Sequence, residues 1–242
     1  AATRKLAEGI STMDDLQIVA TDKGEYLQIV REVAGTRTIE LLPSVLGEII
    51  IELSFAKSMR WGSNQHTFGR PIQWLVALFG SDVVPLAHEG IIAANVTRGH
   101  RFMSPEPIIL RGAAEYEQRL QEHYVLADYD RRREAVAAEV HRAVAETDFG
   151  VAAAVFIDEG LLDTVTNLLE YPFAVCGRFD DKFLQVPDEV LITSMREHQK
   201  YFPVVTENNQ LLSGFVAVNN TRVKQEDLTR QGHQRVLRAR LE

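Results

Sequence analysis

Apolar residues change their spacing along this chain in ways that mark out successive elements. Residues 16–20 and 25–33 are β-rich runs joined by Thr-Asp-Lys-Gly, which predicts a hairpin. Between positions 38 and 53, Leu41, Leu42, Val45, Leu46, Ile49, Ile50 and Leu53 recur at helical spacing, with Pro43 either in the first turn or dividing the helix. Residues 72–79 form a short apolar run followed by Gly80-Ser-Asp82 and Val83-Val84, the pattern of buried strands about a turn. Residues 96–102 read as a further strand, and Pro105-Glu-Pro107 breaks whatever precedes it.

Helical spacing returns over 112–123 and again over 127–146, where Asp148-Phe-Gly150 closes the second helix. A helix over 160–170 and a strand over 172–177 follow. Pro187 and Asp188 suit a helix start, because proline's missing N–H is an orphan there and a carboxylate can accept first-turn donors. Pro203 ends that helix by Tyr201 or Phe202, and residues 202–206 and 211–218 then pair as a hairpin across Glu-Asn-Asn-Gln, with Asn219 and Asn220 as turn formers. Strand and helix alternate without the steady rhythm of a doubly wound parallel sheet. The class is α+β, with a mainly antiparallel sheet and several packed helices. The proline-rich stretch 105–112 marks a boundary between two subdomains, 1–104 and 105–242, the latter ending in an arginine-rich segment.

The helix after Pro187 has two demanding faces. Leu191, Met195, His198 and Phe202 share one stripe, and Arg196 and Lys200 share another one turn apart. Glu197, Gln199 and Lys200 have no evident structural duty, which makes them candidates for contact with a partner. Arg60-Trp61 and Arg70-Pro71 up to Trp74 place guanidiniums near indoles, a combination that stacks bases. Trp74 lies inside an apolar run and reads as a core residue. Arg98 and His100 fall on one strand face and Arg101 on the other, so the first two could meet phosphate.

Several of these stretches, taken together and in order, resemble one family. Lys57-Ser-Met-Arg-Trp-Gly62, Phe68-Gly-Arg-Pro-Ile-Gln-Trp-Leu-Val-Ala-Leu-Phe-Gly80, Arg98-Gly-His-Arg-Phe102, Leu168-Leu-Glu-Tyr-Pro172, the Val190 to Val205 segment and Gln231-Gly-His-Gln-Arg-Val-Leu-Arg-Ala-Arg240 are similar to the beta subunit of bacterial heterotetrameric glycyl-tRNA synthetase. The resemblance covers nearly the whole chain. It implies a non-catalytic part of a ligase that supports tRNA binding and alpha–beta assembly, with tRNA(Gly) and the alpha subunit of an alpha2beta2 tetramer as partners. ATP, magnesium and the class II chemistry would reside in that alpha subunit, with no cofactor in this fragment. A more remote likeness to the editing-type module of the phenylalanyl-tRNA synthetase beta chain brings no hydrolytic motif with it. Two rivals stay open: a tRNA-editing hydrolase using an acid or histidine near Glu197-His198, and a scaffold that contacts protein only. The tRNA or partner candidates are Arg60, Trp61, Arg70, Arg98, His100, Arg196, Glu197, Gln199, Lys200, Arg235, Arg238 and Arg240.

Composition narrows the classes further. The 242 residues carry a formal net charge of −8, which argues against a generally basic nucleic-acid coat. Charge is uneven, however: residues 222–240 hold six Lys or Arg against two acidic residues, a patch on which counterion release can still act. The seven histidines are scattered without zinc spacing, the one cysteine excludes an intrachain disulfide, and no catalytic or metal residue is expected. Cys176 sits in an apolar run as a small buried hydrophobe. No phosphate loop or dinucleotide fingerprint is present. Apolar runs stay below the roughly 18 residues of a membrane span, and a cytoplasmic location is expected. Starting at Ala1 and stopping just past an arginine run, the sequence reads as a piece of a longer protein.

Overall fold

The computed structural model describes residues 16–29, 34–150 and 153–242. Strands β1 (Leu16–Thr21) and β2 (Gly24–Ile29) pair antiparallel, with Thr21 opposite Gly24 at the turn. Gly24 has φ 119°, a conformation that side chains resist, so the Thr-Asp-Lys-Gly signal acts through its glycine. Residues 30–33 of the expected second strand lie outside the described residues.

Helix α1 (Thr38–Glu52) runs unbroken through Pro43. One stripe, Ile39, Leu42, Leu46 and Ile50, packs on Ala77, Val84, Leu86 and Ala93. A second stripe at i, i+4, i+8 (Leu41, Val45, Ile49) is about half exposed. The turn expected after residue 79 forms at Gly80, between the short strands β3 (Leu78–Phe79) and β4 (Asp82–Val83). Two further two-residue strands, β5 (Ala87–His88) and β6 (Ile91–Ile92), make a hairpin too short for alternation to reveal.

Strand β7 (Val96–Arg98) pairs with β8 (Pro107–Ile109) and stops four residues earlier than expected. The reason lies at Gly99, where a Cβ would come within 2.6 Å of the His123 Cβ and 2.7 Å of its carbonyl oxygen. The backbone passes so close to the end of helix α2 (Tyr116–Glu122) that the chain must turn there.

A four-stranded antiparallel sheet dominates the second half, in the order β10 (Phe173–Arg178), β12 (Leu211–Asn219), β11 (Phe202–Thr206) and β9 (Ala153–Val155). Helices α3 (Tyr129–Ala145) and α4 (Glu159–Leu168) cover one face, burying Val136, Val140 and Val165 against Ala174, Cys176, Phe202 and Val204. Asp128 and Asp158 cap their N-termini, accepting from Arg131 N at 2.8 Å and Leu161 N at 2.7 Å, each cap contributing about 1 kcal/mol. Helices α5 (Asp188–Thr193) and α6 (Glu226–Leu241) cover the other face, bringing Leu191 and Leu237 onto Val175, Phe215 and Ala217. A sheet buried on both sides explains why its strands are continuous apolar runs.

The helix after Pro187 departs from its expected form. Regular α-helix ends at Thr193, a π-helical turn spans Ser194–Gln199, and Lys200 closes it in the left-handed region at φ 58°. Wider winding breaks the 3.6-residue stripe: Met195 is buried, His198 is exposed, and Phe202 belongs to β11 rather than to the helix. Arg196 and Lys200 therefore do not share a helical face one turn apart.

Candidate functional site

The turn that replaces the end of the expected strand organises an open recess. His100 is buried at 1% exposure, its Nδ1 accepting from the amides of Phe102 and Met103 at 3.3 Å each. With Nδ1 occupied as an acceptor, Nε2 carries the proton and donates to the Asn220 carbonyl. The Asn220 side chain in turn accepts from the amides of Glu170 and Tyr171. One imidazole thus ties loop 98–103 to the end of β12 and to the start of β10. His100, a candidate for phosphate contact, has no side-chain nitrogen left for one.

Its neighbours point outward. Arg70, Arg98 and Arg101 line an open cleft of about 780 Å³, together with Trp74 and Glu170. The Arg98 guanidinium lies 5.9 Å from the centre of the Trp74 ring. Trp74 is not the core residue its apolar run suggests; it is 43% exposed. Among the described residues none of these three arginines has an ion-pair partner, whereas Arg119, Arg133, Arg142, Arg178 and Arg230 all do. Unpaired guanidiniums around an exposed indole can take phosphate oxygens and a base face. Arg101 escaped the sequence reading because strand alternation placed it opposite Arg98. Once Gly99 turns the chain, a spacing of three brings the two arginines to one recess, and that glycine was the available signal.

Other candidates lie elsewhere. Arg60 is exposed and Trp61 half-buried in the 59–68 loop, closed by pairing of Met59 with Phe68, and neither lines the cleft. Arg196 is engaged by Glu197 at 2.9 Å and by Asp158 at 3.4 Å, so two of the four polar candidates on that segment satisfy each other. Gln199 and Lys200 are half-buried. On α6, Arg230 is held by Glu226 and Asp227, while Arg235, Arg238 and Arg240 are exposed. At 100° per residue Arg235 and Arg238 fall 60° apart and Arg240 lies 140° from Arg235, so the three do not converge on one spot.

Two polar arrangements were not visible in the sequence. His66 Nδ1 and His88 Nε2 are 3.0 Å apart, yet no group of three metal-ligating side chains forms among the described residues. A chain of hydrogen bonds runs from the Tyr201 hydroxyl to His233 Nδ1, from His233 Nε2 to Asn219 Oδ1, and from Asn219 Nδ2 to the Phe173 carbonyl. Asn219 and Asn220 are therefore tertiary tethers as well as the end of a strand. Burial pushes the Tyr201 hydroxyl up to about 12 and holds His233 below its ordinary value. Cys176 is buried, and burial pushes its thiol up to about 12, which leaves no thiolate for nucleophilic chemistry. No helix among the described residues is long and apolar enough to cross a membrane.

Comparison with known proteins places this architecture. A family model described as the glycyl-tRNA synthetase beta subunit matches residues 1–242. The glycine–tRNA ligase beta subunit of Syntrophus aciditrophicus (strain SB) is 44% identical over 229 residues, covering 95% of this chain and 33% of that protein. The corresponding subunit of Geobacter sulfurreducens is 44% identical over 242 residues, covering 98% and 35%. That of Geobacter metallireducens is 45% identical over 226 residues, covering 93% and 32%. The chain spans about a third of the length of these relatives.

Proposed function

This chain belongs to the glycyl-tRNA synthetase beta-subunit family, and we propose that its part in glycyl-tRNA formation is to hold tRNA(Gly), with the cleft of Arg70, Arg98 and Arg101 as the contact. The observation that carries this reading is three arginines, without ion-pair partners among the described residues, lining one cleft with an exposed tryptophan, on a chain whose net charge is −8. Such a protein repels phosphate through its overall field, so affinity must come from a local cluster. An alpha subunit completing an alpha2beta2 enzyme would supply ATP, magnesium and glycine binding, and the beta chain would contribute no reacting group from this region.

The hydrolytic alternative finds less support. Glu197 is engaged by Arg196, His198 projects from a π-helical turn, and the thiol of Cys176 is buried and protonated. The test uses the assembled ligase. Replacing Arg98 and Arg101 by glutamine is expected to raise the Michaelis constant for tRNA about tenfold or more while leaving that for glycine unchanged. An unchanged Michaelis constant for tRNA would remove the cleft from the reading.

A further inference from the structure

The same loop also lines a second recess, of about 440 Å³, which includes Phe102, Tyr124, Arg222 and Lys224. Phe102 is 80% exposed, an unusual state for a phenyl ring whose backbone is this firmly held. Its amide is fixed by buried His100, and the next residue, Met103, receives the Arg222 amide on its sulfur at 3.4 Å. The ring therefore stands on a rigid support instead of on a loose loop. Arg222 and Lys224 beside it have no ion-pair partner among the described residues. Arg101 and Phe102 are consecutive, so one loop contributes both to the arginine cleft and to the recess with the exposed ring.

An exposed ring flanked by unpaired cations suits a ligand that offers flat apolar faces and negative charges in alternation. Double-stranded RNA hides its base faces in the stack and presents only phosphates and sugar hydroxyls. Unpaired nucleotides present both. A protein partner would need acidic groups matched to both recesses, whereas every single-stranded RNA carries a phosphate at each step.

We propose that loop 98–103 is a clamp for single-stranded RNA, in which Phe102 and Trp74 stack unpaired bases and Arg98, Arg101, Arg222 and Lys224 take the phosphates between them. The proposal rests on the RNA reading above and specifies which part of an RNA the site accepts. A preorganised ring loses little entropy on binding, because its support is already ordered.

The test measures affinity of the complete enzyme for an oligouridylate of about seven nucleotides, a blunt RNA duplex of two separate strands and tRNA. Phe102 is exposed, so Phe102→Ala leaves the fold intact, and Phe102→Trp restores a stacking face. Phe102→Ala is expected to weaken oligouridylate binding roughly 10- to 100-fold and to leave the duplex unaffected, with Phe102→Trp within about twofold of the parent. If Phe102→Ala leaves oligouridylate affinity unchanged while Arg98→Gln/Arg101→Gln still weakens tRNA binding, the clamp is overturned and the RNA reading stands. If the arginine variant also leaves tRNA binding unchanged, both fall. If Phe102→Ala dissociates the alpha subunit and spares every RNA affinity, the face belongs to a protein and the clamp is overturned.

Discussion

His100 accepts from two amides and donates to a carbonyl while almost completely buried itself, so its removal leaves three backbone groups without these partners and opens a hole beneath the loop. His100→Ala is expected to cost about 2–4 kcal/mol, read as a lowered denaturant midpoint. It should also weaken the proposed tRNA contact, because Arg98 and Arg101 lose their fixed spacing. His233 offers a pH-dependent counterpart. Burial lowers its pKa, so the folded protein favours the neutral ring, and the unfolded chain binds more protons just below pH ~6.5. The stabilising contribution is therefore complete above that value and is lost as pH falls beneath it. The thermal midpoint of the parent should decline on acidification from pH ~7 to ~5 more steeply than that of His233→Gln. Parallel profiles would show that the Tyr201–His233–Asn219 chain carries no titration.

At the scale of elements, Lys200 ends the π-helical turn at φ 58°. A side chain there costs about 1–2 kcal/mol relative to glycine. Lys200→Gly is accordingly expected to stabilise the fold by up to about 1 kcal/mol after glycine's greater unfolded-state entropy is counted, read as a raised unfolding midpoint. Destabilisation would mean that the lysine makes a contact that outweighs its strain. The same segment shows where sequence periodicity stops being informative. Helices α3 and α4 were legible because their apolar positions keep a 3.6-residue repeat and each begins on an aspartate cap. Strands β10, β11 and β12 were legible as apolar runs, since a sheet covered on both faces needs no alternation. The π-helical winding after Ser194 was not, because its period differs from the one used to place Met195 and His198 on a common stripe. Strand β9, only three residues long, and the hairpin of β5 and β6 carry too few positions for any period to show. At the cleft, Arg70 was legible as a guanidinium near an indole and Arg98 as a strand-face cation able to meet phosphate; the closeness of Arg98 to Trp74 was not legible. Arg101 was not, because close approach of Gly99 to His123 is a tertiary fact.

The whole molecule joins an acidic overall charge to a small cationic recess, and that contrast makes salt the most direct probe. An α+β scaffold whose sheet is buried on both faces holds the ends of β10 and β12, where Asn220 receives His100 and fixes loop 98–103. Residues that meet phosphate release counterions on binding, and each contact contributes about 0.7–0.9 to the slope of log affinity against log salt. Residues that merely support the fold alter the unfolding midpoint and leave the slope alone. Arg70, Arg98 and Arg101 are exposed and without ion pairs among the described residues, so their replacement should spare stability. The deciding measurement is the salt dependence of tRNA binding by the complete enzyme, parent against Arg70→Gln/Arg98→Gln/Arg101→Gln, with thermal midpoints taken in parallel. The expected result is a slope shallower by about two to three units at an unchanged midpoint. An identical slope in parent and variant would contradict the assignment of this cleft to RNA.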